Sequence, residues 1–430
     1  MRTGKGLVLL LVALLIAGAA LPAAAKVKLT FVVWTYAVEL IEDNIRKFQE
    51  LYPDIEVELI DYNWGQYNDL IVANFVGGQT VPDILYSSDH WLQQWAAAGW
   101  VVPLEDYFPE AAQVKETFAP YAVEGMTYNG KLYGFPYFAD PITLFYNEAL
   151  LKEAGFDKPA ETWEELLDQL RVIKQKGIAQ YPFAMSLAQD EPFTTEFYYS
   201  MVYSRGEDMF DGETPLFDRP DSALVETIKW IRTALEEGLM SMDSLTTDGT
   251  ISGNLMRGGS AVYSIGRASS LASYNDPTQS RYAGHFKIAR MPGTTHETVG
   301  FARFYAMSRQ VPERGPEVLD AAWKFLNYFG GAGPDGSYPV VRRWALEHGL
   351  GFAQLPLFED PEIRESFGQW VDVDLLESIS KHDARIKQGL TPYFAEWDVF
   401  FRSHIQRGFL GQLTPEQTVQ NLAREWNALR

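Results

Sequence analysis

Two periods alternate in the apolar residues of the first hundred positions. From Lys28 to Trp34 the run Lys-Leu-Thr-Phe-Val-Val-Trp has strand composition, and Ile41, Ile45 and Phe48 then recur at the spacing of one helix face. Pro53 ends that helix. Ile55 to Leu59 forms a second strand, a helical pattern covers about Gln66 to Val76, and Gly77-Gly78 stops it. Pro82 to Tyr86 is a third strand, followed by a polar turn at Ser87-Ser88-Asp89 and a helix to about Ala98. Strands that alternate with helices predict a mostly parallel sheet, in which ligands collect at loops beyond the strands' carboxyl ends. Trp34-Thr35-Tyr36 and Asp89-His90-Trp91 fall there, so Trp34, Tyr36, Asp89, His90 and Trp91 are candidate ligand contacts.

The pattern changes between Tyr128 and Asn147. Asn129-Gly130 is a turn signal, and Pro136 and Pro141 hold Phe135 and Asp140 in extended conformations. Ile142 to Tyr146 reads as a buried strand, with a helix from about Glu148 that ends at Gly155. This stretch is either a hairpin and loop within one domain or the place where one lobe hands the chain to another. Beyond it, Thr162-Trp163-Glu164-Glu165 predicts a capping box, and Leu166, Leu167, Leu170 and Ile173 share one face of the helix it opens. Tyr181 to Leu187 is expected as strand. Asp221 or Ser222 caps a helix bearing Leu224, Ile228, Ile231 and Leu235 inward, so the second half is α/β as well. Arg290 to Met307 is strand-like, and Val318, Ala322, Phe325 and Phe329 mark another helix. Gly330 to Gly336 is a glycine-rich linker, and Thr414-Pro415-Glu416-Gln417 opens a last helix.

Composition narrows the functional classes. A chain of 430 residues, 47% hydrophobic, exceeds what one core usually sustains, so two lobes are expected. Arg2 and Lys5, an apolar run from Gly6 to Ala20 and Pro22-Ala23-Ala24-Ala25 have the form of a cleaved signal peptide over 1–25. A transmembrane anchor is the alternative, but the run is short of the roughly 20 residues a span requires. Removing Arg2 and Lys5 from the 36 basic residues leaves 34 against 57 acidic ones, and the formal charge moves from −21 to −23. Nucleic acid is therefore not expected as a partner. With no cysteine, disulfides, thiolate metal sites and an N-terminal lipid anchor are excluded. The mature protein is expected to diffuse freely after export, as a monomer.

Motifs for catalysis and cofactors fail on inspection. Gly125 to Lys131 resembles a phosphate loop until Leu132, where Ser or Thr should follow. Gly331, Gly333 and Gly336 follow a helix and include Pro334, which suits a linker. No nucleophile elbow or zinc motif occurs, and no cofactor or metal is expected. A carboxylate pair for glycoside hydrolysis stays open among 57 acids. Aromatic residues make up 14% of the chain. Those in loops suit a carbohydrate site, where flat rings stack on pyranose faces and carboxylates accept hydrogen bonds from hydroxyls.

A series of segments, in this order behind a signal peptide, resembles one family. These are Phe48 to Leu59, Val81-Pro82-Asp83-Ile84, Ala98 to Leu104, Asn129 to Pro136, Leu144 to Asn147, Thr162 to Leu166, Met256 to Val262 and Ala321 to Leu326. The chain is similar to the extracellular solute-binding proteins of carbohydrate ABC transporters, family 1, the maltose-binding-protein-like group. The resemblance implies an α/β, two-lobed periplasmic binding protein fold of type II with the ligand cleft between lobes. It places lobe one at 26–138 plus 289–330 and lobe two at 141–286 plus 338–430, with crossovers at 139–140, 287–288 and 331–337. It implies capture of a sugar, oligosaccharide or sugar derivative for an inner-membrane ABC permease, without enzymatic activity. A polyamine or peptide ligand, or a secreted glycoside-active enzyme, are the rival readings.

The same resemblance puts Asp89-His90 at the family's polar sugar-contacting pair, with histidine where arginine is usual. It puts Asp140 near a hinge acid, Glu191-Pro192-Phe193 at a lobe-two contact loop, and Trp397 on an aromatic-bearing helix near the cleft. Arg267 takes the place of a stacking residue, and Phe301 and Arg303 are further contacts. The competing reading of Asp89 is a helix cap. Arg267 and Arg303 offer forks either to an acidic group on the ligand or to structural salt bridges.

Overall fold

The computed structural model describes residues 26–78 and 81–430, and the expected leader over 1–25 lies outside them. β1 (Val27–Trp34), α1 (Val38–Leu51), β2 (Ile55–Tyr62), α2 (Trp64–Gly77), β3 (Ile84–Ser88) and α3 (Asp89–Ala97) follow in the order expected. β1 pairs in parallel with both β2 and β3. The polar turn expected at Ser87-Ser88-Asp89 does not form: β3 runs through Ser88 and α3 begins at Asp89. Asp83, fully buried, accepts from the Thr30 amide at 2.8 Å and pairs with Arg314, which fixes β3 beside β1.

A nine-stranded sheet holds the molecule together. Its remaining strands are β4 (Gly134–Asn147), β5 (Phe183–Ala184), β6 (Tyr263–Arg267), β7 (Phe286–Ala289), β8 (Thr298–Met307) and β9 (Ala384–Arg385). The order along the main path is β2-β1-β3-β8-β4-β6-β5, with β7 on β4 and β9 on β8. β4 changes partner along its length. Gly134 to Pro141 pairs antiparallel with β8, whereas Ile142 to Tyr146 pairs with β6 and Leu144 to Asn147 with β7. Asn129 and Gly130, at φ 49° and 77°, make the tight turn that delivers the chain into β4.

The apolar cores divide at the same place. Phe135, Tyr137 and Ala139 pack in a first core with β1, β3 and α7 (Pro316–Gly330). Ile142 and Leu144 belong to a second core with α4 (Trp163–Gln175), α5 (Thr194–Tyr203), α6 (Ala223–Glu236), α9 (Phe394–Phe409) and α10 (Pro415–Leu429). β8 divides likewise, Val299 in the second core and Ala302 to Met307 in the first. A third core gathers Phe145, Leu271, Phe286 and the segment Phe352 to Ile379. α8 (Pro339–His348) contributes Val340 and Trp344 to the first core and Val341 and Ala345 to the third.

Local signals mostly hold. Ser222 caps α6 through the Val225 amide, and Thr414 with Gln417 forms the reciprocal box at α10. At α4, Thr162 accepts from the Glu165 amide, but the Glu165 carboxylate takes the Glu161 amide instead of closing the box. The strand expected over Tyr181 to Leu187 shrinks to Phe183–Ala184, the only part that finds a partner, on β6.

Gly351 seats on the point where β4 passes between cores. A β-carbon there would meet the Ala139 carbonyl oxygen at 2.5 Å and the Asp140 carboxyl carbon at 2.8 Å. Gly351→Ala is expected to cost about 1–3 kcal/mol, the range for overpacking a fixed backbone contact. A shift in the urea midpoint measures it, and an unchanged midpoint would show that the segment can move aside.

Candidate functional site

A cavity of about 300 Å³ opens where the two halves of β4 and β8 meet. Its walls come from the carboxyl ends of β1 and β3 (Trp34, Tyr36, Tyr86), the start of α2 (Trp64), β4 (Tyr137, Phe138), the loop before α5 (Glu191, Pro192, Phe193), and Arg267, Arg303 and Leu350. Trp34 and Tyr36 are stacked, with centroids 4.9 Å apart and planes 5° from parallel. Trp34 donates its indole N–H to the Tyr137 hydroxyl at 3.2 Å and meets Trp64 edge-on at 5.3 Å. These rings are held from several sides, Tyr36 also by stacking on Trp344 at 5.8 Å.

Under the cavity lies a buried ion network. Arg303 donates to Asp89 Oδ1 at 2.6 Å, and Lys387 donates to Asp89 Oδ2 at 2.7 Å. Glu196 receives Arg267 at 3.3 Å, Arg303 at 3.4 Å and Lys387 at 3.8 Å. Asp89, Glu196 and Lys387 have no exposed side-chain surface. Burial alone would raise both carboxyls, but the surrounding cations outweigh it, Lys387 foremost at Asp89 and Arg267 foremost at Glu196, and both stay ionised. Burial and then the Lys387 ammonium push the His90 imidazole below its ordinary value. Its Nε2, 3.6 Å from Glu196, is too far for a good hydrogen bond and has no partner.

Of the twelve residues singled out from sequence, Trp34, Tyr36, Glu191, Phe193, Arg267 and Arg303 line the cavity. Asp89 and His90 lie beneath it, because α3 starts directly at the end of β3 and turns them inward. Asp89 is the first helical residue and not the cap, which is Ser88. Trp91 stacks between Tyr67 and Trp95. Phe301 is buried under both guanidinium groups, 4.1 Å from Arg267 and 4.8 Å from Arg303. Trp397 sits in the second core against Trp426 and donates to the Leu422 carbonyl, away from the cavity. Sequence reading passed over Trp64, Tyr86, Tyr137, Phe138 and Leu350 in the wall, and Glu196 and Lys387 below it. Trp64 could have been found by the rule that selected Trp34, since it follows the carboxyl end of β2.

Asp140 is buried, and its Oδ2 accepts from the Ser269 amide at 2.8 Å. Burial pushes its carboxyl up to about 7. The unfolded value is about 3.9, so the folded state holds the proton more tightly. This contribution favours the fold at low pH and is lost as pH rises toward 7. Asp140→Asn keeps an acceptor for Ser269 and carries no charge. Its melting temperature relative to the native chain should rise between about pH 4 and about pH 7, then level off. A difference that stays flat across that range would mean Asp140 is ionised throughout.

The family model of the bacterial extracellular solute-binding proteins matches residues 34–334. The chain belongs to this family. Among similar solute-binding proteins, the maltotriose-binding protein of Pyrococcus abyssi is 24% identical over 344 residues, 78% of this chain and 69% of that protein. The arabinooligosaccharide-binding protein of Bacillus subtilis is 23% identical over 223 residues, about half of each chain. The maltose-bound MalE3 of T. maritima superposes with a TM-score of 0.78 at 20% identity, covering 94% of this chain and all of that one. A solute-binding protein from Agrobacterium radiobacter K84, in complex with ribitol, gives 0.75 at 18%, again covering 94% of this chain and all of that one. These likenesses show the two-lobed solute-binding fold. Among the described residues, no helix is long and apolar enough to cross a membrane.

Proposed function

We propose that the protein captures a sugar or short oligosaccharide in the cleft between its lobes and delivers it to an ABC permease. The wall of the cavity carries this reading: Trp34, Tyr36, Trp64, Tyr86, Tyr137, Phe138 and Phe193 give it ring surface for pyranose faces, with polar groups at its floor and rim. Relatives named for maltotriose and arabinooligosaccharides support the ligand class. A volume of about 300 Å³ is that of about ten waters, room for one or two sugar rings. Glu191 is the one carboxylate in the wall, whereas glycoside hydrolysis takes two, so binding is favoured over turnover.

A thermal-shift screen over mono- and disaccharides and polyols tests this. A ligand at 100 times its dissociation constant adds about 2.7 kcal/mol, and saturation should also reduce the radius of gyration as the lobes close. If polyamines or peptides shift the melting temperature and no saccharide does, the ligand class is wrong. Release of aglycone from chromogenic glycosides would replace binding by catalysis.

A further inference from the structure

Behind Arg267 and Phe193 lies a second chamber of about 170 Å³. Both residues line the aromatic cavity as well, so they form the partition between the two spaces. The chamber differs in chemistry from its neighbour. Ser186, Ser252, Ser270 and Tyr274 bring hydroxyl groups and Arg267 brings a cation, and no carboxylate or side-chain amide lines it. With a guanidinium and no carboxylate in it, this wall is net positive. That favours an anionic group, to which hydroxyls can also donate.

The charge count below the partition points the same way. Arg267, Arg303 and Lys387 share two carboxylates, Asp89 and Glu196. Asp140 accepts from the Ser269 amide. Glu191 lines the aromatic cavity, where burial and the neighbouring acids Asp248 and Asp190 push its carboxyl up. Arg267 is thus the cation with the least attention: its one carboxylate contact is 3.3 Å long, and Glu196 divides itself among three partners. The guanidinium lies 4.1 Å from the centre of the Phe301 ring and 5.7 Å from that of Phe193, which fixes its plane. Gly249 leaves the Phe193 ring room, since a β-carbon there would approach it to 3.0 Å.

We propose that the sugar bound in the aromatic cavity carries an anionic substituent, a carboxylate, sulfonate or phosphate, that passes Arg267 into this second chamber. The proposal rests on the sugar-binding reading and names the ligand's chemical class. Arg267 offers its remaining N–H groups to the oxygens of such a group, and the Ser252 and Ser270 hydroxyls can donate to it.

Calorimetric titration of matched sets tests it: glucose with glucuronate and glucose 6-phosphate, and galactose with galacturonate and galactose 6-phosphate. In at least one set an acidic member should bind about tenfold or more tighter than the neutral sugar, and the better of the two acids identifies the substituent. Arg267→Gln should bring the acid and the neutral sugar within about twofold of each other. Should that variant not fold, Ser252→Ala combined with Ser270→Ala serves in its place and should reduce the preference severalfold. A neutral sugar that binds as tightly as its acids in every set overturns the proposal and leaves the sugar reading standing. Unchanged preference in the folded variants overturns it too, and failure of every sugar to bind overturns both readings.

Discussion

Asp89→Asn is expected to lower the unfolding free energy by about 3–5 kcal/mol, the cost of removing one partner from a buried ion pair. The substitution keeps the size of the side chain and takes away its charge. Arg303 and Lys387, now 2.6 Å and 2.7 Å from the carboxylate oxygens, would face a neutral amide whose N–H groups oppose theirs. Three buried or half-buried cations would then depend on Glu196. The expectation differs from the one that sequence alone supports, in which Asp89 touches the ligand and its loss weakens binding while leaving the fold intact. A side chain without exposed surface, with cations on both oxygens, positions Arg303, which lines the cavity. Urea denaturation measures the effect. Adding Lys387→Met to Asp89→Asn should recover part of the loss, because fewer uncompensated charges remain buried. A midpoint unmoved by Asp89→Asn would mean that Glu196 and solvent suffice for these cations.

Trp34→Ala is expected to weaken saccharide binding by about 2–4 kcal/mol, roughly 30- to 1000-fold, the range of a central aromatic anchor. Trp34 is locked by Tyr36 on one face, Trp64 at its edge and Tyr137 at its indole nitrogen. A rigid ring loses little entropy when a ligand covers it. Its removal takes a donor from the Tyr137 hydroxyl and a stacking partner from Tyr36. The ring is only half-buried, so the melting temperature should move much less than the affinity. Titration with the saccharide that gives the largest thermal shift on the native chain reads this out. Affinity retained within about threefold would place the sugar elsewhere in the cleft.

The alternation of β1 to α3 was legible because Pro53, Gly77-Gly78 and Pro82 punctuate it and the core positions keep their period. The extended run of β4, which passes between two cores, was legible for a related reason, since Asn129-Gly130, Pro136 and Pro141 leave the chain few conformations other than extended ones. The charge network was not. Arg303 meets Asp89 across 214 positions, Lys387 meets it across 298, and Arg303 meets Glu196 across 107. Local periodicity carries no information about such pairings. Trp397 shows the opposite failure. The spacing of Phe394, Trp397, Phe401 and Ile405, all buried, marks the core face of α9, and this local signal was the better guide to Trp397 than the family pattern.

β8 enters the sheet between β3 and β4, and the consequence reaches into how the chain folds. As the polypeptide is synthesised, β1, β2 and β3 emerge early, yet β3 keeps one edge unpaired until the strand carrying Arg303, 214 positions after Asp89, arrives. Everything between β4 and β8, most of the second core, must be made first, and that core also needs α9 and α10, which come last. Pairings of this sequence separation carry a large loop-closure cost and form slowly. The first core is therefore expected to stay incomplete long after β3 is made, and the second until the last two helices are. An unpaired edge of β3 is then the surface that a holding chaperone would find on the growing chain.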